Sequence, residues 1–165
     1  MKDMENRELL ASIIGAFAAT LIASFFSLKI LEFNQMPIIL ASTGASAILI
    51  FGLPHNPASQ PWNIIGGHLV SALIGVACYK YIPNLLLASS MAIPLAIIAM
   101  HFFNCMHPPG GATAITAITG GQAIYDLGFA FVIIPVFFNA IILLSIAIAV
   151  GTFRDKNPYE VRPMH

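Results

Sequence analysis

Charge is scarce in this sequence: seven basic and seven acidic residues make up 8% of the chain, against 58% apolar residues. A soluble domain carries about 25% charged residues, so a water-facing surface cannot be built from this set. Net charge is zero and no basic cluster is present. Nucleic acid is therefore not expected as a partner. Only two cysteines occur, Cys78 and Cys105, far apart and without a CxxC pair. They read as small packing residues rather than redox or metal groups. The apolar region holds no acid pair, no phosphate-binding glycine loop followed by Lys-Ser/Thr, and no Ser-His-Asp set. Catalysis of the soluble type is not expected, and neither is a cofactor.

What the sequence does have is long apolar runs, with charges near their ends. Leu9–Leu28 is free of charge over 20 residues, about 30 Å as a helix, enough to cross a bilayer. Lys2 and Arg7 precede it, but a secretory leader has a shorter apolar core. The run is expected to be a retained helix. Further segments follow at Met36–Leu53, Ile64–Tyr79, Leu85–Phe103, Pro108–Ile124 and Leu127–Thr152. The first, fourth and sixth can span unaided. The second, third and fifth are shorter and richer in Gly, Ser, Thr or Pro, and need neighbours to shield their backbone.

Local signals place helix ends. Asn63 and Asn84 are candidate caps of the third and fourth segments. Pro108 and Pro109 suit a first turn, and Gly120-Gly121 an end. Pro94 and Pro135 predict kinks. Small residues recur every four positions at Ala11, Gly15, Ala19, Ala23 and Ser27, at Gly67, Ser71 and Gly75, and at Ala88, Ala92 and Ala96. Such stripes let helix backbones approach closely in lipid. Tyr79, Tyr81, Phe102, Phe103 and Tyr125 fall near segment ends, as interfacial aromatics do. Lys2 and Arg7 at one terminus, and Arg154, Lys156 and Arg162 at the other, place both termini in the cytoplasm with an even number of crossings.

Gly44-Ala45-Ser46-Ala47-Ile48 matches Gly111-Ala112-Thr113-Ala114-Ile115, and each copy begins a short segment between two others. The chain thus reads as an all-α polytopic membrane protein with one transmembrane domain over residues 1–165. Repeat one covers about 9–79, repeat two about 85–152, and a cytoplasmic tail 153–165. Three crossings per repeat would invert the second half relative to the first, a common transporter plan. Six crossings in an inverted 3+3 repeat are the preferred arrangement; four crossings with two re-entrant short helices are the alternative.

The short segments carry no fixed charge. They offer approachable backbone at Gly44, Gly110 and Gly111, and hydroxyls at Ser42, Thr43, Ser46, Thr113, Thr116 and Thr119. A helix N-terminus presents unpaired N–H groups and partial positive charge, suited to an anion. Two facing N-termini would hold a small anion weakly, as conduction requires. Packing is the competing reading of each segment taken alone. Candidate pathway residues are Thr43, Gly44, Ala45, Ser46, His68, His107, Pro108, Pro109, Gly110, Gly111, Ala112 and Thr113, with Asn63 and Asn139 as secondary candidates. His68 and His107 are the mid-chain groups able to carry protons, or else are hydrogen-bonded structural residues. Asn139 reads as helix glue or as part of the pathway. A divalent-metal pathway through His55, His68, His101 and His107 lacks supporting acids and a metal-ligand spacing, and no metal site is expected.

The stretch His107-Pro108-Pro109-Gly110-Gly111-Ala112-Thr113-Ala114 resembles the signature of the HPP family of small integral membrane proteins. Gly44-Ala45-Ser46-Ala47, Pro57-Ala58-Ser59-Gln60-Pro61, Asn63 and Gly66-Gly67-His68 are similar to its other motifs, in order from Thr43 to Gly121. Members often carry a basic residue where this chain has Trp62. The resemblance implies four described spanning helices and transport of a small inorganic anion, with nitrite, the substrate of plant chloroplast members, as the leading candidate and nitrate next. A multi-pass location in the cell inner (plasma) membrane and a homo-oligomer in the lipid bilayer are the matching expectations. A membrane scaffold or sensor with a protein partner is the alternative of another class.

Overall fold

A computed structural model describes residues 6–31, 40–154 and 157–159, and in these residues the chain is helical without strands. The helices are α1 (Asn6–Leu31), α2 (Ala41–Gly52), α3 (Pro61–Tyr81), α4 (Leu85–Phe102), α5 (Gly110–Thr119), α6 (Gln122–Leu127) and α7 (Phe138–Gly151). A single tight turn at Pro57–Ser59 precedes α3, and a widened turn at Val132–Phe137 leads into α7. Lys2, Glu32, Met36, Asp155, Lys156, Arg162 and His165 lie outside the described residues.

Among the described residues, four helices are long and apolar enough to cross a membrane: Asn6–Ile30, Pro61–Tyr81, Leu85–Phe102 and Val132–Gly151. The third segment, which looked short, gains its length from Pro61, Trp62 and Asn63, which prove helical. Three helices remain short: α2, α5 and the six-residue α6. At 12 and 10 residues, α2 and α5 reach roughly 18 and 15 Å, about half of a ~30 Å hydrocarbon core. Neither crosses as a helix alone.

Several local expectations are borne out. Asn84 caps α4, its side chain accepting from Leu87 N–H at 2.9 Å. Gly120 closes α5. Pro135 follows Ile134, whose non-helical backbone marks a kink before α7. Two expectations need correction. Asn63 does not cap α3: the chain enters at Gln60, and Pro61 takes the first helical position, where its missing N–H costs nothing. The run Pro108–Ile124 is not one helix. Gly121, with φ of +82°, breaks it into α5 and α6, a backbone that glycine adopts freely.

The small-residue stripes are the packing surfaces. Gly15, Ala19, Ala23 and Ser27 are buried along α1. A Cβ at Gly15 would lie 2.7 Å from the Phe51 ring and 2.8 Å from Val150. Gly75 lies against Ala114 and Ala117, and Gly110 against Gly67 and Ser71, so α5 runs beside α3 in the same direction. Ala88 and Ala92 pack with Cys78, while Ala96 and Met100 pack with Val70, so α4 runs opposite to α3. Ser27 is bonded to Asn139, and Arg154 to Ser12, so α7 runs opposite to α1. The short α2 also runs back along α1, from the level of Ser27 to that of Ser12. It lies antiparallel to α3, with Ser46 beside His68 and Leu49 beside Ser59. Hence α1 and α3 point one way, and α4 and α7 the other.

Arg154 is not a free tail charge, as the charge pattern had suggested. It is 9% exposed, and its guanidinium donates to Ser12 Oγ at 2.8 Å and Phe51 O at 3.1 Å. A cation there satisfies a carbonyl in the last turn of α2 and complements the helix dipole. It also sets the start of α1 and the end of α7 at the same end of the bundle.

Two glycines separate packing from propensity. An alanine Cβ at Gly75 would fall 2.8 Å from Ala114 Cα, whereas at Gly44 it meets nothing within 4 Å. Gly75→Ala is expected to lower stability by about 1–3 kcal/mol. Gly44→Ala is expected to leave it unchanged or raise it by up to about 1 kcal/mol. Thermal unfolding of the detergent-solubilised protein measures both, and equal midpoints would contradict the packing assigned to α3 and α5.

Candidate functional site

The buried polar groups of this bundle gather at mid-depth. α3 passes through the middle of the structure and presents Gly67, His68 and Ser71 at about its midpoint. Both α2 and α5 begin at that depth. The N-terminus of α5 enters at Gly110, against Gly67 and Ser71. Leu40, the residue before α2, shares one apolar cluster with Ala72 and Val76 of α3. From there α2 runs toward one end of the bundle and α5 toward the other, so their N-terminal, partially positive ends converge.

Between them sits a closed set of hydrogen bonds. Ser46 Oγ lies 2.8 Å from His68 Nε2 and 2.9 Å from His107 Nε2. His68 Nδ1 is 2.7 Å from Thr113 Oγ1, and His107 Nδ1 is 2.7 Å from Ala58 O. The two rings meet edge to face with centroids 4.8 Å apart. Ser46, His107 and Thr113 are fully buried and His68 nearly so. One carbonyl decides every proton in this chain. A carbonyl only accepts, so His107 Nδ1 carries the hydrogen and donates to Ala58. In neutral His107, Nε2 is then the acceptor and takes the Ser46 hydroxyl hydrogen. Ser46 Oγ in turn accepts from His68 Nε2–H, which leaves His68 Nδ1 to accept from Thr113 O–H. All four links point one way, from Thr113 to Ala58.

Two devices hold His107 in place. The loop between α4 and α5 turns at Asn104, in the left-handed region with φ of +50°, which Asn tolerates. Trp62 Nε1 donates to Phe103 O at 3.0 Å, and Asn63 Nδ2 donates to Met106 O at 3.0 Å. Met100 Sδ accepts from His107 N–H at 3.5 Å. Asn63, a pathway candidate, thus serves as a clamp on this loop. Trp62 does the same with its indole N–H.

A second polar cluster lies beside the first. Asn139 Nδ2 donates to Ser27 Oγ at 2.7 Å and Thr43 Oγ1 at 3.3 Å. Its other amide atom, Oδ1, is buried without a partner among the described residues. A small enclosed cavity of about 10 Å³ is lined by Asn139, Thr43, Ser42, His68 and apolar side chains. That is room for one water.

The structure therefore sorts the candidates. It brings Ser46, His68, His107 and Thr113 into one cluster, and Thr43 and Asn139 into its neighbour. Gly110 serves the close approach of α5 to α3, and Gly111 makes an ordinary 3.5 Å contact with Ile93. Gly44 and Ala45 face outward. With Pro108, Pro109 and Ala112, Ala45 lines an open apolar groove of about 430 Å³ between α2 and α5. His55 and His101 are exposed and do not join His68 and His107. Among the described residues no three His, Cys, Asp or Glu groups cluster as metal ligands. Sequence reasoning missed Ser27 as an Asn139 partner, although its place in the α1 stripe marked it as inward-facing. It also missed the Ala58 carbonyl, which no side-chain pattern reveals.

Over residues 1–160 the sequence matches the family described as HPP, transmembrane region. It is 35% and 34% identical, over 152 residues in each case, to two transmembrane proteins of Dictyostelium discoideum. The alignments take in 90% of this chain and 53% and 49% of those proteins, so the chain spans about half the length of these relatives. No solved structure matches.

The Ser46 hydroxyl serves two rings while the Thr113 hydroxyl serves one. Each buried polar group left unpaired costs about 1–3 kcal/mol. Ser46→Ala is therefore expected to melt lower than Thr113→Val, measured by thermal unfolding in detergent. The reverse order would show that the bridge is not what ties α2 to the core.

Proposed function

Since this chain belongs to the HPP transmembrane family, we propose that it transports a small inorganic anion, nitrite or nitrate, across the plasma membrane and catalyses no reaction. The observation that carries the proposal is the convergence of the α2 and α5 N-termini at mid-depth, beside hydroxyls and imidazoles and without a fixed charge. Short helices that begin at the membrane midplane, in two inverted halves, are a recurrent transporter plan. A weak, uncharged site suits an ion that must also leave.

Chain direction supports six traverses. With α1 and α3 pointing one way, and α4 and α7 the other, the chain returns once between α1 and α3 and once between α4 and α7. Helices α2 and α5 each cover half of such a return. The halves α1–α3 and α4–α7 then carry opposite directions, as an inverted repeat requires. The shared end of α1 and α7 agrees with both termini on one side, which the basic residues assign to the cytoplasm.

One feature favours a second reading. The open groove between α2 and α5 is apolar and lined by Ala45, Ile48, Leu49, Leu53, Pro108, Pro109 and Ala112. It suits a helix of a partner, either a second copy or another membrane protein, and a scaffold would use it without moving any solute. Co-purification of one stoichiometric partner, together with no ion flux, would favour that reading.

Transport is tested in liposomes. The purified protein should pass nitrite above the level of empty liposomes. The double substitution Thr43→Val, Asn139→Leu should reduce that flux by roughly tenfold, the effect of about 1.4 kcal/mol from lost polar contacts. Absence of flux for nitrite, nitrate, formate and chloride alike would overturn the proposal.

A further inference from the structure

The one-way hydrogen-bond chain has an orientation that packing alone does not need. A buried serine and two histidines are satisfied by several tautomer combinations when their outer partners are hydroxyls, which both donate and accept. Here one outer partner is a hydroxyl, Thr113, and the other is a carbonyl, Ala58. The carbonyl imposes one polarity on the whole chain. At the Thr113 end, His68 lines the enclosed cavity that is also lined by Asn139, whose amide Oδ1 is buried without a partner among the described residues. At the other end, Ala58 lies in the half-buried turn before α3, between exposed Pro57 and buried Ser59. The chain thus links mid-bundle to one end of the bundle, through groups that exchange protons.

We propose that Thr113, His68, Ser46 and His107 form a proton relay, latched by the Ala58 carbonyl, that couples proton movement to transport. The cavity beside Asn139 holds the water at its inner end. As the Thr113 hydroxyl turns its hydrogen away, a proton from that side is taken up at His68 Nδ1. His68 passes its Nε2 proton to Ser46 Oγ, and Ser46 passes its own hydrogen to His107 Nε2. The positive charge has then moved from His68 to His107, and His68 is left neutral with its hydrogen on Nδ1, which now donates to Thr113. His107 holds hydrogens on both nitrogens. Its Nδ1 proton cannot go to a carbonyl, so it leaves to water only when the Ala58 bond opens. Displacement of the turn at Pro57–Ser59 is the release step, and while the bond is open both imidazoles change tautomer and the hydroxyls rotate back, which restores the starting polarity. Among the described residues, no side chain of fixed charge is bonded to either ring. The groups facing the rings are the Ser46 and Thr113 hydroxyls, the Ala58 carbonyl and each other, with Met100 sulfur on the His107 backbone.

The relay rests on the transport reading for its purpose but not for its test. Nitrogen-15 NMR of histidine-labelled protein in lipid reads the resting tautomers directly. The expected result is a hydrogen on Nδ1 in His107 and on Nε2 in His68; the same tautomer in both, or the reverse pair, overturns the relay. The second measurement uses the whole protein in liposomes containing a pH-sensitive dye, with empty liposomes subtracted. Under a nitrite gradient the unmodified protein should acidify the interior as nitrite enters. Ser46→Ala should abolish that acidification, and Ser46→Thr, which keeps the hydroxyl, should restore it. Nitrite entry without proton movement overturns the relay and leaves the anion reading standing. Proton entry under an imposed pH gradient, lost in Ser46→Ala and without nitrite flux, supports the relay and removes the anion reading. If neither ion moves, the relay is overturned. A Ser46→Ala protein that fails to fold leaves the tautomer measurement to decide.

Discussion

The close approach of α5 and its preceding loop to α3 is the contact on which the rest depends. It is possible only because Gly66, Gly67, Gly75 and Gly110 have no side chain. A Cβ at Gly67 would fall on His107 Cβ, and one at Gly75 would fall on the Ala114 backbone. A Cβ at Gly110 would lie 2.6 Å from Ser71 Oγ and 2.8 Å from Gly67 O. In lipid there is no hydrophobic drive between helices, so van der Waals packing at small residues sets which faces meet. Here that packing carries His107 and Thr113 to His68. Without it the two imidazoles would sit in separate layers, each needing its own partner in a medium that supplies none.

The second short helix is held differently. α2 has few residues to bury, but polar contacts tie it near its start, middle and end. Thr43 meets Asn139 of α7, Ser46 meets the two histidines, and the Phe51 carbonyl meets Arg154. Each partner comes from a different part of the chain. The outcome is a half-length helix fixed in depth and rotation, with its Gly44 and Ala45 face left open toward the apolar groove. Tight apolar packing on one short helix and spaced polar ties on the other make the two halves alike in plan and unlike in mechanics. α5 is locked to α3 by backbone contact, whereas α2 is held by bonds that can exchange partners.

Much of this was legible in the residue order. Burial of Gly15, Ala19 and Ala23, and of Ala88, Ala92 and Ala96, follows from four-residue spacing on helices. Membership of the candidate cluster was also legible for Ser46, His68, His107 and Thr113, because polar hydrogen-bonding groups in an apolar run must turn inward. Some features were not legible, because they depend on backbone atoms or on alternatives of similar local energy. The Ala58 carbonyl is invisible to side-chain reasoning. Asn63 fits a cap as well as it fits a clamp on Met106 O. Arg154 looks the same in sequence whether it faces water or reaches back to Ser12 and Phe51.

By itself, the sequence determined that this protein lives in a membrane, where its long apolar runs lie, and which helix faces are smooth enough to pack. Those properties follow from composition and period, which act within one helix at a time. Only the tertiary structure decided which histidines meet and that His55 and His101 stay outside. It alone set the depth at which α2 and α5 begin and the polarity of the hydrogen-bond chain. The physical reason is that these depend on distances between elements remote in sequence. They depend also on one carbonyl oxygen, which can accept a hydrogen bond but cannot give one.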